Sequence, residues 1–116
     1  MTTQSSKQLS NDGQVYTWTP LTTASPDGDG ACFQGAGDRS IQVSGTFGAG
    51  TVVVEGSMDG ANWFPLRDPS STPISFIAGG IKAILENVLF LRPRVTGADG
   101  TTSITAMLFV RRSANG

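Results

Sequence analysis

The sequence predicts an all-β protein: a small antiparallel β-sandwich or jelly roll of about eight strands. Short segments in which apolar and polar residues alternate recur along the chain, and turn signals separate them at intervals of roughly 8–12 residues. Almost no segment shows the spacing of apolar residues that marks a helix. Turn-forming Asp-Gly pairs occur five times, at Asp12, Asp27, Asp29, Asp59 and Asp99.

The composition fits one small domain with a weakly charged surface. The chain has 116 residues, of which 38% are apolar, and this is enough for a single sandwich core. Charged residues make up 15% of the chain, against about 25% in ordinary globular proteins. Eight basic and nine acidic residues give a net charge of −1, which does not fit a nucleic-acid-binding protein. Because so weakly charged a surface repels its own copies poorly, self-association is easy.

The residue inventory offers little chemistry. Histidine, the commonest general base and zinc ligand, is absent. Neither lysine, Lys7 or Lys82, follows a serine at the spacing that would activate the hydroxyl, and most carboxylates adjoin glycines in turns. The DGDG sequence at Asp27–Gly30 lacks the remaining ligands of a calcium loop. We therefore expect no enzymatic activity, no cofactor and no metal site.

Cys32 is the single cysteine, which excludes an intrachain disulfide framework, and we expect it to be a small buried core residue. No apolar run approaches the about 18 residues of a membrane span. The first residues also lack the apolar core of a signal peptide. These observations predict a protein that stays in the cytoplasm where it is made, or that enters an assembly built there.

Residues 1–13 are polar and rich in serine, threonine and glutamine, and they bury too little apolar surface to offset the entropy of ordering by themselves. We predict a flexible N-terminal arm here. Two interpretations stay open: a disordered tail, and an arm that becomes ordered against a neighbouring subunit. Residues 14–112 are predicted to form the β-sandwich domain, and residues 113–116 a C-terminal tail.

The first strand of the domain is predicted at Gln14–Thr19. Tyr16 and Trp18 lie on one face of this strand. Two aromatic residues on one face are most simply core residues, and an interface pair is the alternative. Pro20 ends the strand or places it at an edge, because proline donates no hydrogen bond to a sheet.

The centre of the chain, Gly45–Leu66, is predicted to form a strand, a turn and a returning strand. Thr51–Ser57 is rich in β-branched residues, which suit a pleated, half-buried surface. Asp59-Gly60 provides a glycine that reaches positive φ, so the chain can reverse. The returning strand, Asn62–Leu66, carries two large aromatic residues, and we expect these to need a core.

The other predicted strands are Ala31–Gln34, Arg39–Gly45, Pro73–Ala78, Val88–Val95 and Thr102–Arg112. Ile81–Asn87 fits a short strand or a single turn. Pro93 suggests an edge or a strand end, and the TGADGT sequence at Thr96–Thr101 is predicted to be a hairpin turn.

Two groups of residues on these strands are candidates for contact with a partner. Arg92 and Arg94 share a face of their strand. Either they are exposed to water at a strand edge, where their charge discourages aggregation between sheets, or they pair with an acidic partner surface. Met107 and Phe109 lie opposite the core face of the last strand, which predicts either a second covering sheet or a subunit contact. Together with Trp18, these four residues form the predicted partner-binding set.

Two segments carry a family likeness. GTFGAGTVVVEGSMDGANWFPL, followed by ENVLFLRPRVTGADGTTSITAMLFVRR, resembles a group of small virion proteins of tailed bacteriophages. In that group a block of the form GTFGGATV…GS.DG..W precedes a hairpin of the form RP.VTGGDGT. The likeness spans Ile41–Arg112 and depends on ordered glycines, on Trp63 and on Arg92-Pro93; it does not extend to the first forty residues. The resemblance implies a structural protein of the phage particle, not a catalyst.

A wider likeness concerns the fold alone. GSMDGANWFPL and FLRPRVTG are similar to signatures of discoidin-like jelly rolls of the galactose-binding type. In those folds the tryptophan packs inside and the Asp-Gly pair makes the turn. Their sugar sites lie on variable loops, so no residue of this chain takes over a sugar-binding role.

From this resemblance we expect a capsid decoration or cement protein in the virion, assembled in the host cytoplasm. Its partners would be the major capsid protein or other virion proteins, and it would form a homo-oligomer, with a trimer as one arrangement. Two alternatives stay open. One is a neck or tail component that packs in a ring, and the other is a carbohydrate-binding module that aids adsorption to the host. No nucleic-acid or membrane partner is expected.

Overall fold

The computed structural model describes residues 2–8, 13–32, 38–86 and 88–111, and for residues 7 and 8 the backbone only. Within these ranges the chain forms ten strands and no helix, and so no helix there could span a membrane. The strands are β1 (Gln4–Gln8), β2 (Gly13–Leu21), β3 (Ala31–Cys32), β4 (Asp38–Thr46), β5 (Thr51–Ser57), β6 (Phe64–Pro65), β7 (Ser75–Phe76), β8 (Gly80–Ala83), β9 (Phe90–Thr96) and β10 (Ser103–Arg111).

The strands form two antiparallel sheets that pack as a sandwich, so the predicted fold class is confirmed. Sheet I has the order β1-β2-β10-β4-β8, and sheet II has the order β3-β9-β5-β6 with β7 also paired to β5. The segment Ile81–Asn87 is predicted to be a short strand or a single turn. Its first three residues lie in β8, Ile84–Glu86 lie outside any strand, and Asn87 lies outside the described residues.

The core lies between the sheets and follows the alternation of the sequence. On β10 the even-numbered residues Ile104 to Val110 are buried, while Thr105, Met107 and Phe109 face outward as predicted. Burial of each large side chain of this kind contributes roughly 1.5–3 kcal/mol. The largest fully buried side chains are Trp18, Leu21, Ile41, Ile74, Leu91, Ile104, Leu108, Val43, Val52, Val54 and Pro93.

Trp18 is a core residue, not a contact residue. Its exposed fraction is 0%, and its indole N–H donates a hydrogen bond of 2.9 Å to the backbone oxygen of Asp29. Tyr16 on the same face is also buried. The core interpretation of this aromatic pair is confirmed, and the prediction of Trp18 as a partner-binding residue is wrong because its whole surface is already used inside the sandwich.

Part of the predicted N-terminal arm belongs to the sandwich. Gln4–Gln8 pairs antiparallel with β2 as the outermost strand of sheet I. The Asp27–Gly30 loop anchors its beginning: Thr2 N–H donates to the backbone oxygen of Asp27 at 2.8 Å, and Gln4 N–H donates to Asp29 Oδ1 at 2.7 Å. Backbone hydrogen bonds thus order a segment that has few apolar groups. The predicted tail 113–116 lies outside the described residues.

The TGADGT turn is not a hairpin, because it joins β9 of sheet II to β10 of sheet I. The turn Phe47–Gly50 crosses between the sheets in the same way, from β4 to β5. The two crossing turns are bonded to each other. The Asp99 carboxylate accepts a hydrogen bond from Ala49 N–H at 3.0 Å, and the Thr102 hydroxyl donates to the Phe47 oxygen at 2.8 Å.

Pro93 lies inside β9, between β3 and β5, and not at an end of the strand. On the side of β9 away from β5, β3 covers only two residues. There Gly28 N–H donates to the oxygen of Pro93 at 2.9 Å, and Val95 N–H donates to the oxygen of Pro26 at 2.8 Å. The nitrogen of Pro93 points to this irregular side, where no sheet hydrogen bond needs a donor.

Two expectations of burial are wrong. Cys32 is exposed, at the edge of sheet II, and Phe64 on β6 is 65% exposed. Trp63, just before β6, is only half-buried, and Leu66, just after β6, enters the core. Adjacent residues of a strand point to opposite faces, so Trp63 and Phe64 could not both face inward.

Candidate functional site

The outer face of sheet I has an apolar centre. Phe109 lies between Val15 on β2 and Ser40 on β4, and Met107 lies one pair further along, next to Gln42. No described element packs over this face. Because β10 is the central strand of the sheet, its outward side chains lie in the middle of the face.

A shallow groove of about 310 Å³ crosses this face, and we call it the outer groove. Each described residue that lines it is uncharged: Val15, Ser40, Ile41, Gln42, Ile81, Met107 and Phe109. Ile81 on β8 forms one side of it and is 66% exposed. An uncovered apolar groove of this kind is typical of a contact surface.

Polar groups border the outer groove. Arg111 and Asp38, at the ends of β10 and β4, form an exposed ion pair of 2.8 Å. The hydroxyls of Thr19 and Thr105 lie 2.8 Å apart on the same face. An apolar centre with a polar rim is the usual layout of a protein–protein interface.

Strand β8 provides a second feature of this side. It is the last strand of sheet I in the described part of the chain, and it has only four residues. Ile77, just before it, is 77% exposed. A free edge beside exposed apolar side chains can accept another strand by backbone hydrogen bonding.

The structure places Arg92 and Arg94 on the outer face of sheet II, on the other side of the sandwich from Met107 and Phe109. Both arginines pair with Glu55: Arg92 at 2.9 Å and Arg94 at 3.7 Å. Arg94 also lies 3.1 Å from Asp27. The four predicted residues that reach the surface therefore do not form one site.

Arg92 is used within the protein. Its side chain is only 15% exposed, and that of Glu55 only 13%. Its guanidinium also lies over the ring of Trp63, 4.4 Å from the ring centroid, which is a cation–π contact. Little of its charge is available to a partner, whereas Arg94 is 45% exposed.

The β5–β6 hairpin forms a second groove, of about 350 Å³, where Met58 and Phe64 are both about two-thirds exposed. The polar groups of its turn are already bonded to one another. Asp59 Oδ1 accepts from the backbone N–H groups of Ala61 and Asn62, both at 2.9 Å. The carbohydrate-binding alternative therefore gains an exposed aromatic ring here, but no free carboxylate.

Arg39 is the residue that sequence reasoning missed. It is buried, with an exposed fraction of 5%. The signal was present in the sequence, because Arg39 lies two residues before Ile41 and four before Val43, and so on their core face.

No protein family, curated protein or solved structure matches this chain. Among residues 2–8, 13–32, 38–86 and 88–111 there is also no cluster of three or more residues of the kinds that bind metals.

Proposed function

We propose that this protein is a structural, non-enzymatic component of a tailed-bacteriophage particle, namely a capsid decoration or cement protein that bridges major capsid subunits. The outer groove of sheet I is the observation that carries the proposal. The class of partner comes from the resemblance of the segment Ile41–Arg112 to small virion proteins of tailed bacteriophages.

The outer groove would be the contact surface. Burial of Met107, Phe109 and Ile81 against a neighbour removes apolar area from water, at roughly 25 cal/mol per Å². The polar rim then fixes the orientation of the contact. A single contact of this size is weak, but many copies linked across a shell stabilise it through avidity. The weakly charged surface opposes association of copies only slightly.

Binding of the purified protein to undecorated shells tests this proposal, with Phe109→Glu as the diagnostic variant. The charge would lie in an apolar contact without a partner, so we expect binding to be lost. Phe64→Glu places the same charge on the exposed β6 ring and should bind normally. Co-sedimentation and the rupture temperature of the shell are the measurements. Failure of the unchanged protein to bind, or normal binding by Phe109→Glu, would contradict the proposal.

A neck or tail component would use the same face within a ring, and the position of the copies on the particle separates the two functions. Image reconstruction of labelled particles should show copies over the whole shell for a decoration protein. Copies confined to one ring at a single vertex would instead support the neck or tail alternative.

A further inference from the structure

Arg39 is a buried charge that forms no ion pair with a described residue. Its exposed fraction is 5%, and its Nε atom has no hydrogen-bond partner there. No ion pair joins it to any carboxylate in the described ranges. Burial lowers the pKa of Arg39, and the nearby carboxylates of Asp38 and Glu86 act in the opposite direction.

A guanidinium stays protonated in proteins, so burial cannot be relieved by loss of the proton. Buried charges are therefore normally paired. The two carboxylates that favour its charge have other partners: Asp38 binds Arg111 at 2.8 Å, and Glu86 accepts a hydrogen bond of 2.7 Å from the backbone N–H of Arg67. The Arg39 guanidinium could therefore be paired by an anion from outside the described part of the chain.

An open cavity of about 410 Å³ lies beside Arg39. Its residues are Asp38, Arg39, Ser40, Pro69, Ala83, Ile84 and Leu85. Backbone hydrogen bonds hold its walls: Ile84 N–H donates to the oxygen of Arg39 at 3.0 Å, and Leu85 N–H donates to the oxygen of Arg67 at 2.8 Å. Because one water takes up about 30 Å³ in the liquid, the cavity has room for a carboxylate or a phosphate group.

We propose that this cavity is an oxyanion-binding site in which Arg39 binds a carboxylate or a phosphate group. The planar guanidinium presents N–H groups that match two oxygens of either anion. The Nε–H of Arg39 has no hydrogen-bond partner among the described residues, and Arg39 itself lines the cavity. Pro69, Ala83 and Leu85 surround the anion with apolar groups, which strengthen the charge-assisted bond. The ion pair of Asp38 with Arg111 reduces repulsion from the one carboxylate on the wall.

The site is tested with acetate and with inorganic phosphate as separate probes, at constant ionic strength. The Nε–H signals of ¹⁵N-labelled arginines are followed by NMR in the unchanged protein. A saturable shift of the Arg39 signal with either probe supports the site, and the probe that saturates at lower concentration identifies the preferred anion. A shift that stays linear with both probes, or no shift, overturns the proposal, and this readout needs no variant.

Thermal unfolding adds a second test. Arg39→Met keeps most of the side-chain volume and removes the charge, so the rise in Tm with the saturating probe should disappear. Arg94→Met removes an arginine from the outer face of sheet II and should keep the rise. An equal rise in the unchanged protein and in Arg39→Met would show that the anion acts elsewhere. Neither result depends on binding to shells, so the site can fail or stand apart from the proposed function.

Discussion

Asp59 accepts hydrogen bonds from the backbone N–H groups of Asn62 and Ala61, from the side-chain amide of Asn62 and from the hydroxyl of Ser57. These bonds favour the charged form, so they hold the pKa of the Asp59 carboxyl well below its ordinary value. Asp99 has the same role in the Thr96–Thr101 turn between the sheets, where hydrogen bonds from Thr101 lower the pKa of its carboxyl. Single carboxylates therefore organise both turns.

The lowered pKa of Asp59 predicts a dependence of stability on pH. A carboxyl whose pKa is lower in the folded state contributes stability that is fully present above its ordinary pKa of about 3.9, and that is lost as pH falls through the folded pKa. We expect Asp59→Asn to have a lower Tm than the unchanged protein at pH 7, and the difference to shrink as pH falls toward 2. Thermal unfolding followed by circular dichroism measures this, and a difference that is constant with pH would contradict it.

At the scale of elements, the Asp27–Gly30 loop packs tightly against β2 and β9. A Cβ atom added at Gly28 would lie 2.8 Å from both Pro93 Cδ and Trp18 Cδ1. Both rings are fully buried and cannot give way easily. The glycine is therefore required by the close approach of this loop to the core.

Gly28→Ala should destabilise the protein by about 1–3 kcal/mol, as overpacking of a core does. Gly100→Ala is the matched control, because a Cβ there meets nothing within 4 Å, and it should be neutral or stabilise by about 0.4–1 kcal/mol. Urea unfolding gives both values. Equal stability of the two variants would mean that the loop can move away from the rings.

The elements themselves were largely predictable from the sequence, because alternation reports which residues face the core. The alternation of apolar and polar residues correctly predicted which residues of β10 face the core, and that Tyr16 and Trp18 do so. It failed for Phe64 and Cys32, which lie on short strands at the edge of sheet II where the sandwich covers little. It also missed β1, since backbone pairing and not side-chain burial orders that strand.

At the scale of the whole molecule, the assignment of strands to sheets was not predictable. Turn chemistry shows that the chain reverses at Thr96–Thr101, but not whether the next strand pairs with the last one or crosses to the other sheet. Whether β10 pairs with β9 or crosses to the other sheet determines which predicted contact residues share a face. The crossing places Met107 and Phe109 on the outer face of sheet I and the two arginines on that of sheet II, so one predicted surface becomes two.

The two outer faces should therefore have separable roles, which Arg92→Met can reveal. This variant removes the nearer of the two arginines that pair with the mostly buried Glu55 carboxylate, and it removes the cation over Trp63. We expect the free energy of unfolding to fall by about 1–3 kcal/mol, with normal binding to shells because sheet I is unchanged. Phe109→Glu should show the reverse pattern: binding to shells is lost, and stability falls less than for a change in the core, because Phe109 is half-buried on an outer face. Urea unfolding and co-sedimentation on the same preparations make the comparison. If Arg92→Met kept its stability but no longer bound shells, the docking surface would have to lie on sheet II.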